Sequence, residues 1–227
     1  MVSRNNKLSG LNRSAGFTLV EIAIVLVIIG LLLGCVLKGA EMIENSKVKR
    51  AVNEINGISA AFYAYQDRYQ RLPGDDGNLA ALQQRGGEWP NITSAGNSNG
   101  ALTVNLNQAW NAGGEQQEMW QHLRASGLIS GNPAEVGAAA LPRNAFSGLT
   151  AVVTQTMGGG LQGVKVCMSQ VPGKAAQAID NQLDDGQGAT GKLRATLGAA
   201  GANTNPANAA LANPYSEDEY YTICSAI

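Results

Sequence analysis

One carboxylate stands alone in an apolar run. Between Phe17 and Leu37 the only charged side chain is Glu21, and most of the other residues are Ile, Val and Leu. A carboxylate in hydrocarbon costs roughly 2.5–3.5 kcal/mol at the bilayer centre and less near an end, so an acid kept there reads as functional and in need of a partner. The preceding segment offers one. Residues 1–16 are polar, carry Arg4, Lys7 and Arg13 without an acid, and end in Gly16. A cut after Gly16 would give Phe17 a new α-amino group, about one helical turn from Glu21. A second set of acids, Asp180, Asp184 and Asp185, precedes Gly186. Carboxylates on a flexible loop are the donors Ca2+ takes, which makes the trio a candidate Ca2+ site. The spacing departs from the EF-hand pattern, and a solvated turn with aspartates as caps is the competing reading. Asp75 and Asp76 admit the same two readings. The single histidine, His122, lies beside Trp120 without a Cys or His at metal-ligand spacing. There is no G-x-S-x-G and no phosphate loop: Gly158-Gly159-Gly160 lacks the Lys-Ser/Thr that would follow. The pattern points to no enzyme.

The elements that hold these groups follow from periodicity. The run from Phe17 to Leu37, about 21 residues, is long enough to cross a bilayer as a helix. After Leu37 the pattern becomes amphipathic without a break: Val48, Ala51, Val52, Ile55, Ile58, Phe62, Tyr65 and Tyr69 form one stripe. No proline interrupts Phe17 to Leu72, so one helix of about 54 residues is expected, apolar all round in its first half and striped in its second. Leu72-Pro73-Gly74-Asp75-Asp76-Gly77 turns the chain. Residues 85–114 read as a long surface loop, 115–128 as a helix, and 149–157 with 163–168 as an antiparallel hairpin. A helix over 172–183, strands near 191–196 and 219–223, and a low-complexity loop over 199–214 complete an α+β reading.

Composition sets limits. With 16 basic and 17 acidic residues among 227, the net charge is −1, and no nucleic-acid surface is evident. The apolar run exceeds the 7–15 residues of an ordinary secretory signal, and Val36-Leu37-Lys38 is no small-x-small cleavage site. A plain membrane anchor accounts for the length but not for Gly16, Phe17 or Glu21. Charge does not settle orientation, since Lys38, Lys47, Lys49 and Arg50 follow the run.

Gly16-Phe17-Thr18-Leu19-Val20-Glu21 with its apolar continuation resembles the N-terminus of type IV prepilins and pseudopilins, firmly over about the first 69 residues. The resemblance implies a pilin-like fold, a long N-terminal helix against a small antiparallel sheet. It implies cleavage between Gly16 and Phe17 by a prepilin peptidase/methyltransferase, N-methylation of Phe17, and docking of an incoming subunit through Glu21. It divides the chain into a leader (1–16), a transmembrane and filament-core segment (17–37), an amphipathic continuation (38–72) and a periplasmic head (73–227). The N-terminus would face the cytoplasm, and the product would be an extracellular pilus or a periplasmic pseudopilus. The implied partners are the peptidase, other pilin subunits, an inner-membrane assembly platform and membrane lipid. Where many pilins carry a proline about twenty residues into the mature chain, this chain has Lys38. Gly30, Gly34 and Gly39 could loosen the helix instead. In an exported head a disulfide between Cys167 and Cys224 is favoured, with Cys35 left as a small apolar residue. A pilus subunit is the leading reading. A type II secretion pseudopilin and a membrane-tethered periplasmic binding module are the alternatives.

Overall fold

The computed structural model describes residues 16–208 and 214–227, so the leader lies outside the described residues apart from Gly16. The chain divides into two compact units, one ending at Ile43 and one running from Glu44 to Ile227. Helix α1, Leu19–Tyr69, contributes to both. The sequence reading placed its ends two or three residues farther out on each side. Gln70, in the left-handed region at φ 53°, stops the helix as a C-terminal cap residue does, and Pro73 follows.

In the first unit the helix is bare. Phe17 is 84% exposed and Leu19 88%, and the large apolar residues from Val20 to Ile43 are 46–72% exposed. An 18-residue window of this helix is apolar enough to cross a membrane, and none of it is buried by the described residues. In the second unit α1 behaves oppositely. Val48, Ala51, Ile55, Ile58, Ala61, Phe62 and Tyr65 are buried, one stripe at helical spacing.

The second unit carries a four-stranded antiparallel sheet of β1 (Thr150–Val153), β2 (Lys165–Pro172), β3 (Leu193–Leu197) and β4 (Tyr220–Ala226), in the spatial order β1-β2-β4-β3. With α1 this makes an α+β, pilin-like arrangement, as the sequence implies. The hairpin β1–β2 pairs Thr150 with Met168 and Val153 with Lys165. The turn between them includes a 3-10 turn at Gly158–Gly160. Helix α4, Gly173–Leu183, connects β2 to β3. Strand β4 inserts between them, opposite both. Helix α3, Glu115–Ala125, buries Met119, Trp120 and Leu123 in the same core as the α1 stripe and the strands.

The stretch expected to be a surface loop is a largely exposed strap pinned to the core at intervals. It is preceded by a short helix α2, Leu79–Gln83, and contains 3-10 turns at Trp89–Asn91 and Leu106–Gln108. It buries Trp89, Ile92, Leu102, Val104, Leu106, Ala109 and Trp110. Apart from the short alternation Leu102, Val104, Leu106, these apolar residues follow no period, because each is anchored singly. The strap is tied back by Asp75, whose carboxylate accepts from Asn99 N at 2.9 Å and Gly100 N at 2.8 Å. Gly96 is needed at this crossing, since a side chain there would run into the Gly74 carbonyl and the Asp75 backbone.

Candidate functional site

The N-terminal motif is built around a reciprocal cap. Thr18 precedes the first helical residue, and Glu21 lies three residues on. Glu21 Oε2 accepts from Thr18 N and from Thr18 Oγ1, each at 2.8 Å, while Glu21 N donates to Thr18 Oγ1 at 3.2 Å. This is a capping box: two helix-end N–H groups are satisfied, one by the hydroxyl and one by the carboxylate. The positive end of the helix dipole adds to the attraction. The lone acid of the apolar run therefore meets donors on Thr18 of its own chain, whereas the sequence reading looked to the amine that cleavage would give Phe17. The signal was legible as T-x-x-E. Among the described residues both bonds fall on Oε2, so Oε1 stays available to an outside donor. Gly16 and Phe17 stand exposed beside this cap, and a Cβ at Gly16 would meet nothing within 4 Å.

In the head, Cys167 and Cys224 face each other across the two central strands and are bonded as a disulfide, and Cys35 is free and exposed on α1. The bridge fastens the C-terminal strand to the hairpin that precedes it by 57 residues.

Asp180, Asp184 and Asp185 do converge, with carboxylate oxygens within 4.8 Å of one another. Each is already claimed by donors of the protein. Asp180 accepts from Tyr215 OH at 2.6 Å and Gly186 N at 3.2 Å. Asp184 Oδ2 accepts from Lys192 N and, at 3.0 Å, from Leu193 N. Asp185 accepts from Gln187 N at 2.9 Å and Thr190 Oγ1 at 2.5 Å. The trio closes the turn from α4 into β3, and burial holds the Asp180 carboxyl above the usual carboxylate range. Tyr215 was not singled out from sequence, for it comes from 35 residues away.

His122 is wholly buried and belongs to a small polar knot. Its Nδ1 accepts from Gly74 N at 3.1 Å, so Nε2 carries the proton and has no partner among the described residues. Its ring stacks on Tyr65, with centroids 6.0 Å apart, and lies 5.8 Å from Trp89. Tyr65 OH donates to Asp76 at 2.9 Å, and Arg85 pairs with the same carboxylate at 2.8 Å. The Arg85 guanidinium lies 4.7 Å from both the Tyr69 and Trp89 rings. Burial drives the His122 pKa down to about 4, so the imidazole is neutral near pH 7. Asp75 and Asp76 are likewise spent on backbone N–H groups, Tyr65 and Arg85. The knot locks the turn after α1 to α3.

Against known proteins, one family matches: the prokaryotic N-terminal methylation motif, over residues 11–35. No curated protein and no solved structure matches the chain. The chain thus carries the type IV prepilin leader signature across the segment holding Gly16, Phe17, Thr18 and Glu21, which supports a pilin- or pseudopilin-like precursor. That family is structural rather than catalytic.

Proposed function

We propose that the chain is a prepilin, cut between Gly16 and Phe17 by an inner-membrane prepilin peptidase that also N-methylates Phe17. The mature protein is then a filament subunit of a type IV pilus. The observation that carries this reading is the coincidence of the methylation motif with a helical stretch, to Ile43, that the described residues leave uncovered. Bare aliphatic surface of that extent demands lipid or other subunits. The chain answers first with lipid, as a single-pass protein with its N-terminus in the cytoplasm and its head in the periplasm. It answers next with neighbouring helices, as an incoming subunit leaves the membrane for the filament core. Glu21 serves the transfer. Its own cap keeps the carboxylate compensated in the membrane, and Oε1 accepts from the Phe17 amine of a neighbour during docking. A periplasmic location fits the disulfide of the head. The head, with its bridge and its length, favours a pilus over a type II secretion pseudopilus.

The test is the intact mass of protein sheared from cells. The expected species lacks residues 1–16 and carries one added methyl group; a chain that still begins at Met1, or one not recovered in sheared filaments at all, contradicts the proposal.

A further inference from the structure

The cations that follow the bare stretch of α1 are not all spent within the chain. The apolar surface of that stretch closes with Met42 and Ile43, both exposed, and Lys38 just before them is compensated by Glu41 at 2.8 Å. Lys47, Lys49 and Arg50 come next, and Lys174 joins them from α4; all four are exposed. Two acids are paired with this group. Glu44 lies 4.0 Å from Lys174, and Glu54 holds Arg50 at 2.8 Å. Lys47 and Lys49 have no ion pair among the described residues, so two positive charges are left in excess. These lysines straddle the stripe that the head covers. Val48 between them is buried, and at about 100° per residue Lys47 and Lys49 leave the helix on opposite flanks of it. Along the α1 axis they stand about 6 Å and about 9 Å beyond Ile43. The polar layer on one face of a bilayer is about 5–8 Å deep. A lysine stem can lie along apolar surface with its ammonium turned toward that layer.

We propose that Lys47 and Lys49 bind anionic phospholipid headgroups of the bilayer that α1 crosses, each ammonium donating to phosphate oxygens. The covalent continuity of α1 chooses lipid over an acidic protein surface: headgroups lie within reach whenever the helix is inserted, whereas a protein partner has to be recruited. The excess charge chooses anionic lipid, because a zwitterionic headgroup carries its own cation beside the phosphate and offers no net attraction. The inference rests on the membrane-crossing reading of α1 and does not depend on filament assembly.

The probe is a vesicle of phosphatidylcholine and phosphatidylglycerol in equal parts. Full-length chain is incorporated, extracted with mild detergent, and the lipid that stays with it is identified by native mass spectrometry. Phosphatidylglycerol is expected to be enriched over phosphatidylcholine by about fivefold at each lysine, the worth of one cation near an anionic surface. The double variant Lys47→Gln/Lys49→Gln should fall toward parity, and Lys47→Arg/Lys49→Arg should keep the enrichment. Lys192→Gln, at an exposed lysine just before β3, should keep it too. Flotation with vesicles of phosphatidylcholine alone reports insertion and should be the same for every variant. Wild-type chain with its lipid at parity, enrichment unchanged in the glutamine double variant, or enrichment lost equally in Lys192→Gln overturns the proposal. A glutamine double variant that keeps its lipid enrichment but loses cross-linking between chains assigns the lysines to a neighbouring copy, and overturns it as well. A wild-type chain that does not float with phosphatidylcholine vesicles overturns the membrane-crossing reading itself, and the proposal with it.

Discussion

The two stretches of α1 differ in what their sequence asks for. Up to Leu37 the helix is apolar on every side but for Glu21, and it stays bare to Ile43; from Glu44 on, only a stripe is apolar and the chain itself buries it. Ile28 is 50% exposed and Ile55 is 2% exposed, although both are isoleucines of one helix. A residue's apolarity therefore does not say what it stabilises. In the first stretch it specifies an environment outside the chain, and in the second it specifies the core. The acid of the apolar run marks the same divide, since Glu21 is tolerated by closing the cap with Thr18 while acids of the head serve turns and buried pairs.

The sharpest contrasts lie in the head. Removing the disulfide with Cys167→Ala and Cys224→Ala should cost about 4 kcal/mol in the chain-entropy account of a loop this long. Urea unfolding followed by tryptophan fluorescence reads that loss, and an unchanged midpoint would show that the bridge does not hold the head. Next, Ile55→Ala should lower head stability by about 3 kcal/mol through cavity formation, whereas Ile28→Ala should leave it unchanged. Equal effects would dissolve the contrast between the two stretches.

The pH dependence is smaller. The folded pKa of His122 is about 4, below its ordinary 6.5. Unfolded chains then bind the extra proton first, so this contribution is complete above pH 6.5 and is lost as the pH falls toward 4, by up to about 3 kcal/mol. Glu118 opposes it. Burial raises its carboxyl to about 7, so its contribution weakens as the pH rises from 4.5 to 7. The difference between wild type and His122→Gln isolates the histidine: acidification through this window should destabilise the wild type relative to the variant. Parallel pH profiles would contradict a neutral, buried imidazole. Smallest is Asp184→Ala, which removes the acceptor of Lys192 N and Leu193 N and should cost about 1 kcal/mol. The cost should be the same with and without millimolar Ca2+. A wild-type melting temperature that rises with Ca2+, and a variant's that does not, would make the aspartate trio a metal site rather than a set of caps.

Legibility in the sequence followed the strength of local pattern. Helix α1, helix α3 and the β1–β2 hairpin were plain because each repeats one period over several residues. The strap between α2 and α3 was not, because Trp89, Ile92 and Trp110 are buried one at a time and the only alternation, Leu102-Val104-Leu106, is too short to stand out. The polar knot was hidden for another reason: Tyr65, Asp76, Arg85 and His122 come from separate elements, and only the fold brings them together. The partner of Glu21 was missed although it was local. Attention to the membrane cost of the acid drew the reading to the amine of a cleaved Phe17, when T-x-x-E already named a donor three residues back.

The central claim is that Glu21 belongs to assembly and not to insertion. Cells making Glu21→Val should be separated into membrane, cleaved and sheared-filament fractions. Valine removes the carboxylate, and with it both the cap to Thr18 and the acceptor offered to a neighbour. The variant should insert normally or better and be cleaved after Gly16 to near the wild-type extent, yet be missing from sheared filaments. Glu21→Val recovered from filaments at wild-type abundance would contradict the account.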